Sequence, residues 1–300
     1  MRIIASSISK EMGHPRHSQA TPVRLAIDWE LMETTGVLAV ACLFAVVPVL
    51  WIGQTLLLRM AGLPVRWRLD ARDGPEFVRR GSRALTYASL GGVIVIYPIL
   101  RGESPGRYYA ELLPAGAAVA PAVHGFAVAV LYLALLYLAW WLAGNVTFSV
   151  RHPPRKLAKR LAVLPLTAVL GAGVEELLFR GVLLRSLLES FSASLAVPLG
   201  ALIFAAAHYV RPVKRRWTFP GHVMLGLCLC LAFVWTNALW LPFGVHAGGI
   251  LVIMAARPFV RYEGPAWLTG ASVFPYAGVV GVAALALMTT VLWLRYGAGA

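Results

Sequence analysis

Residues 161–181 read LAVLPLTAVLGAGVEELLFRG. Fourteen residues without a formal charge run directly into two adjacent carboxylates, Glu175 and Glu176, and Arg180 follows four positions after the second. The rest of the chain is built from the same material. Of its 300 residues 59% are hydrophobic and only 13% charged, against roughly 25% charged in an average globular protein. So few charges cannot clothe a water-facing surface, which excludes a soluble enzyme, a disordered protein and a coiled coil. An all-α, polytopic membrane protein is expected instead. The net charge of +14 is divided into short clusters between apolar runs. Nucleic-acid binding needs a basic face or stripe, so no nucleic-acid partner is expected.

A helix rises 1.5 Å per residue and the hydrocarbon layer is ~30 Å thick, so a crossing takes about 20 residues. Uncharged runs at 34–58, 84–100, 112–150, 190–210 and 266–294 supply one crossing each. The run at 161–174 continues through its carboxylates as another. The run at 217–256 is twice the needed length and bends most easily at Thr236-Asn237, giving two. The total is about eight transmembrane helices. Basic residues fall mainly in alternate loops: seven arginines at 59–83, five Lys/Arg at 151–160 and four at 211–216. The positive-inside rule places these loops in the cytoplasm. A polar tail over 1–32 is expected to be disordered and to contain no cleavable signal peptide. Residues 33–300 then form a single transmembrane bundle. Cys42, Cys228 and Cys230 all lie in apolar runs without CxxC spacing and read as small core residues.

Ionisable groups inside a bilayer cost about 2.5–3.5 kcal/mol each on insertion scales. The informative set is Glu175, Glu176 and Arg180 in the fourth span, His208 in the fifth and His246 in the seventh. Neighbouring helical residues point about 100° apart, so the two carboxylates cannot share a face. Glu176 and Arg180 are spaced as an acid–base pair along one helix. That leaves Glu175 to face a cavity, with Phe179 one turn on as a possible wall. Desolvation there favours general-base work. A purely structural salt bridge explains Glu176 and Arg180 equally well. His124 and His222 lie near span ends and read as interfacial or packed.

The order EExxxR (Glu175, Glu176, Arg180), FxxxH (Phe204, His208) and a third histidine in Leu-Pro-Phe-Gly-Val-His246 resembles the CPBP family. These are the CaaX proteases and bacteriocin-processing enzymes, also called type II CaaX prenyl endopeptidases or the ABI family. The resemblance covers roughly 160–255. It implies an eight-helix intramembrane peptidase of the glutamic type, with Glu175 as the base that activates water. His208 would position or deprotonate that water, His246 would stabilise the oxyanion, and Glu176, Arg180 and Phe204 would support the site. This chemistry uses no cofactor. Zinc on two histidines and a glutamate is the less favoured reading, because HExxH is absent. The family's third motif is usually HxxxN or HxxxD, whereas position 250 here is Ile250.

Two classes of function follow. The first is an endopeptidase acting on a membrane-associated protein or peptide near the cytoplasmic face. The second is a catalytically weak or inactive scaffold or immunity-type protein of the same fold, for which Ile250 is the main support. A transporter would call for paired repeats with broken midplane helices, which the sequence lacks. Twenty-three arginines against four lysines, with abundant Ala and Gly, suggest a GC-rich bacterial genome and therefore an inner-membrane protein. Bacteriocin, signal-peptide or sorting-segment processing suits that setting better than a prenylated tail does.

Overall fold

The computed structural model describes residues 29–65, 74–209, 218–270 and 274–299. Residues 1–28 of the expected disordered tail lie outside this set, as do residues 66–73 of the first basic loop and the 211–216 cluster. The helices are α1 (Trp29–Met60), α2 (Glu76–Leu100), the short α3 (Pro105–Ala110), α4 (Ala120–Leu142), α5 (Pro154–Ala162), α6 (Leu164–Glu176), α7 (Arg185–Ser190), α8 (Ala193–Ala207), α9 (Phe219–Thr236), α10 (Trp240–Ala256), the short α11 (Ala266–Thr269) and α12 (Val279–Tyr296). Between α6 and α7 the backbone winds as a π-helix over Leu177–Leu184. The only strands among the described residues, β1 (Val146–Phe148) and β2 (Val260–Tyr262), form an antiparallel ribbon. The chain is thus an all-α polytopic membrane protein.

Among the described residues six helices are long and apolar enough to cross a membrane: α1, α2, α4, the continuous stretch Pro154–Ser190, α9 and α12. The other two crossings counted in the sequence fall on shorter apolar helices, α8 and α10. The ribbon links their fates. β1 follows α4, β2 follows α10, and their pairing puts both helix ends on one side. The passes between them must therefore be even in number. A count in which only one of α8 and α10 crossed would put the two strands on opposite faces.

The Pro154–Ser190 stretch runs well past the point where the uncharged run stops. Its interior charges are neutralised locally. Glu176 meets Arg180 within the helix, and Arg185, the first residue of α7, lies 2.8 Å from Glu111. Arg101 likewise pairs with Glu189 at the same end of the bundle. At the ribbon end α5 carries Arg155, Lys156, Lys159 and Arg160 with no acid.

The closest helix pair is α4 with α10. A Cβ placed on Gly244 would stand 2.0 Å from the Ala122 carbonyl oxygen, and one on Gly248 2.7 Å from that of Phe126. Only hydrogen fits at either position. The two contacts advance together along the chain, so α4 and α10 run parallel. Small residues four apart are a standard route to close approach where lipid supplies no hydrophobic drive between helices. His246 lies midway between these two glycines. The α9–α10 break falls at Asn237, whose φ of 46° is left-handed and ends the helix within one residue. All three cysteines are free thiols packed among apolar neighbours.

Candidate active site

The site begins with a buried charge. Arg180 is fully buried and Glu176 is 1% exposed. The Arg180 Nη1 donates to Glu176 Oε1 over 3.0 Å, its Nη2 reaches the Gly226 carbonyl at 3.4 Å, and its guanidinium lies 4.6 Å from the Phe204 ring centre. The same Glu176 oxygen accepts a 2.6 Å hydrogen bond from His246 Nδ1. One carboxylate therefore joins its own helix to α10. Removing it from water is costly, and two charge-assisted partners offset that cost.

Glu175, one residue earlier, points elsewhere. Its Oε2 is 3.6 Å from His208 Nε2 and 3.5 Å from His246 Nε2. These separations lie at or just beyond the limit of a direct hydrogen bond, so the carboxylate oxygen stands beside both rings without a short bond to either. His208 ends α8, and its Nδ1 lies 2.8 Å from the Phe204 carbonyl one turn back. Because a carbonyl only accepts, that nitrogen carries the proton and leaves Nε2 facing Glu175. His246 has the same arrangement, with Glu176 in the carbonyl's place. Two imidazoles from two helices thus present the same atom to one carboxylate.

These groups form the polar end of a cavity of about 240 Å³. Its remaining wall is almost entirely apolar, including Leu225, Ile250, Ile253, Met254 and Met288. Low dielectric in such a space strengthens any interaction with developing charge. Phe204 lines this cavity. Phe179, the wall suggested by helical spacing, packs edge-on behind Phe204 at 5.1 Å instead. The π-helix begins two residues before it, and such turns alter which side chains share a face.

Three lining or adjacent residues carry little signal in the sequence. Tyr132 lines the cavity and donates to the Gly281 carbonyl at 3.1 Å. Tyr276 lines it from the segment before α12, beyond the reach of any motif. His222 is fully buried, with its ring 4.8 Å from that of His208. Its position near a span end marked it only as packed or interfacial. His124 is part-buried and contacts the Tyr296 hydroxyl at 3.1 Å. Tyr209 turns toward Thr218, 2.6 Å away. Among the described residues no group of three His, Cys, Asp or Glu side chains is placed to hold one metal ion.

Against known proteins, residues 157–252 match the family model of type II CAAX prenyl endopeptidase Rce1-like proteins. The match covers about a third of the chain and includes Glu175, Glu176, Arg180, Phe204, His208, His246 and Ile250. No curated protein and no solved structure matches the chain.

Proposed function

We propose that this integral membrane protein, whose residues 157–252 match the CAAX-type protease family model, is a glutamic intramembrane endopeptidase that hydrolyses a peptide bond in a membrane-associated protein or peptide. The observation that carries the reading is the Glu175 carboxylate oxygen, held within 3.6 Å of the Nε2 atoms of both His208 and His246 at the polar end of an apolar cavity. In this reading water enters beside Glu175 and gives it a proton while its oxygen attacks the scissile carbonyl carbon. His208 orients that water through Nε2. His246, in its protonated form and steadied by Glu176 behind it, donates from Nε2 to the oxyanion. The proton held by Glu175 then passes to the departing amine as the C–N bond breaks. Arg180 fixes Glu176, and Phe204 covers Arg180. No step uses a cofactor or metal.

The basic α5 and the clusters at 59–83 and 211–216 support an orientation with the ribbon end in the cytoplasm. His208, at the end of α8 that leads to the 211–216 cluster, then puts the site on the cytoplasmic side of the bilayer. Arginine-rich composition supports a bacterial inner membrane. Terminal mapping of membrane proteins by mass spectrometry, in cells expressing the wild-type chain or Glu175→Gln at equal levels, tests the reading. New termini are expected only with the wild type. Identical termini in both would remove Glu175 from catalysis.

Ile250 favours a second reading, a weak or inactive scaffold of the same fold. Its side chain lines the cavity where the family pattern supplies a hydrogen-bonding residue. Losing one oxyanion donor typically costs ~2.7–4 kcal/mol, or 10²–10³ in rate.

A further inference from the structure

The π-helix over Leu177–Leu184 begins directly after Glu176 and carries Arg180. It closes i→i+5 bonds where the flanking α6 and α7 close i→i+4 bonds, so its exit steps over one carbonyl. The Arg185 N–H reaches back to the carbonyls of Arg180 and Val182. The carbonyl between them belongs to Gly181. A buried carbonyl needs a donor where no water reaches it. Tyr108, fully buried on the short α3, supplies one: its hydroxyl donates to the Gly181 oxygen over 2.8 Å.

Tyr108 is itself held. The guanidiniums of Arg185 and Arg101 lie 4.4 and 5.9 Å from its ring centre, and Arg185 Nη1 donates to its carbonyl oxygen at 3.1 Å. Arg185 opens α7 and pairs with Glu111, the residue after α3. These bonds anchor α3 and the start of α7 to each other. If the π-helix relaxed to an α-helical ladder, residues before its exit would turn by about 100° relative to α7. With α7 anchored, that turn falls on Arg180 and carries its guanidinium away from Glu176.

We propose that Tyr108 is a positioning residue: by satisfying the Gly181 carbonyl it keeps the π-helix in the register from which Arg180 holds Glu176, and Glu176 holds His246. The inference rests on the hydrolase reading. Its control lies one residue away. The Tyr109 hydroxyl makes a bond of similar length, 2.9 Å, but to the Ile94 carbonyl on α2.

The test compares Tyr108→Phe with Tyr109→Phe in the purified full chain, using a peptide spanning a cleavage site found by terminal mapping. Each change removes one oxygen atom and keeps the ring. Tyr108→Phe is expected to lower kcat about 10-fold with KM changed less than about threefold, within the scale of ångström-level misplacement of a reacting group. Tyr109→Phe is expected to keep kcat within about threefold. A merely structural role would lower the amount of folded protein in both variants and leave the kcat of the folded fraction alone. A second measurement needs no substrate: amide hydrogen exchange over residues 177–186, read by mass spectrometry. Tyr108→Phe is expected to speed it several-fold and Tyr109→Phe to leave it unchanged. Either readout at the wild-type value in Tyr108→Phe overturns the proposal, as does an equal loss in Tyr109→Phe. Cleavage that survives Glu175→Gln overturns the hydrolase reading instead, and the exchange rates still decide whether Tyr108 holds the π-helix.

Discussion

Gly244→Ala adds one methyl group at the tightest contact in the bundle. The new Cβ would stand 2.0 Å from the Ala122 carbonyl oxygen, 2.7 Å from its carbon and 2.8 Å from its Cα. All three are backbone atoms, so no rotamer change relieves the contact. Real Cβ contacts are not found under 3.0 Å, so α4 and α10 must part by at least about 1 Å. Overpacking of this kind costs about 1–3 kcal/mol. The functional effect should be larger, because His246 is two residues away. Its 2.6 Å bond to Glu176 would pass the 3.5 Å limit of a hydrogen bond if the displacement fell along it. Misplacement by 1 Å reduces rates by up to about 10²-fold. The assay is thermal unfolding in detergent together with cleavage rate, with Gly91→Ala as control. Nothing lies within 4 Å of a Cβ at Gly91, and Ala there should gain about 0.8–1 kcal/mol of helix propensity. Gly244→Ala is expected to unfold at lower temperature than wild type and to cleave 10- to 100-fold more slowly. A midpoint and rate equal to wild type would show that the α4–α10 contact does not hold His246 in place.

Arg180→Met leaves Glu176 charged and buried with only His246 as partner, so a loss of about 3–5 kcal/mol in stability is expected. Arg180→Lys should rescue little, since an ammonium cannot reproduce the planar contact with Phe204 and two directed N–H groups; a denaturation series on the two variants checks both. Ile250→Asn restores a hydrogen-bonding side chain on the cavity wall. A 10- to 100-fold gain in cleavage marks a weakened enzyme, whereas no cleavage by either form marks a scaffold. Asn237→Val forces a β-branched residue into a left-handed conformation and should cost about 1–2 kcal/mol, while Asn237→Gly should be nearly neutral. Equal unfolding midpoints for that pair would refute the strain argument.

The sequence determined the membrane class, because 13% charged residues cannot build a soluble surface. It also determined the acid–base pair, since Glu176 and Arg180 are neighbours on any helix, and the divergence of Glu175 from Glu176. The break at Asn237 was legible because the apolar run was twice one crossing long. Hydropathy and helical spacing are local properties, and these features are local. Tertiary structure decided the rest. The stretch through Arg185 stays helical because its partners Glu111 and Glu189 come from elsewhere in the chain or the next turn. Phe204, rather than Phe179, covers the cavity because a π-helix shifts the side-chain register. His222 and Tyr276 reach the site through contacts with segments distant in sequence, and no periodicity encodes those. The parallel seating of α4 on α10 depends on two glycines meeting two carbonyl oxygens. That fit exists only once both helices are formed and pressed together, and it sets where His246 stands.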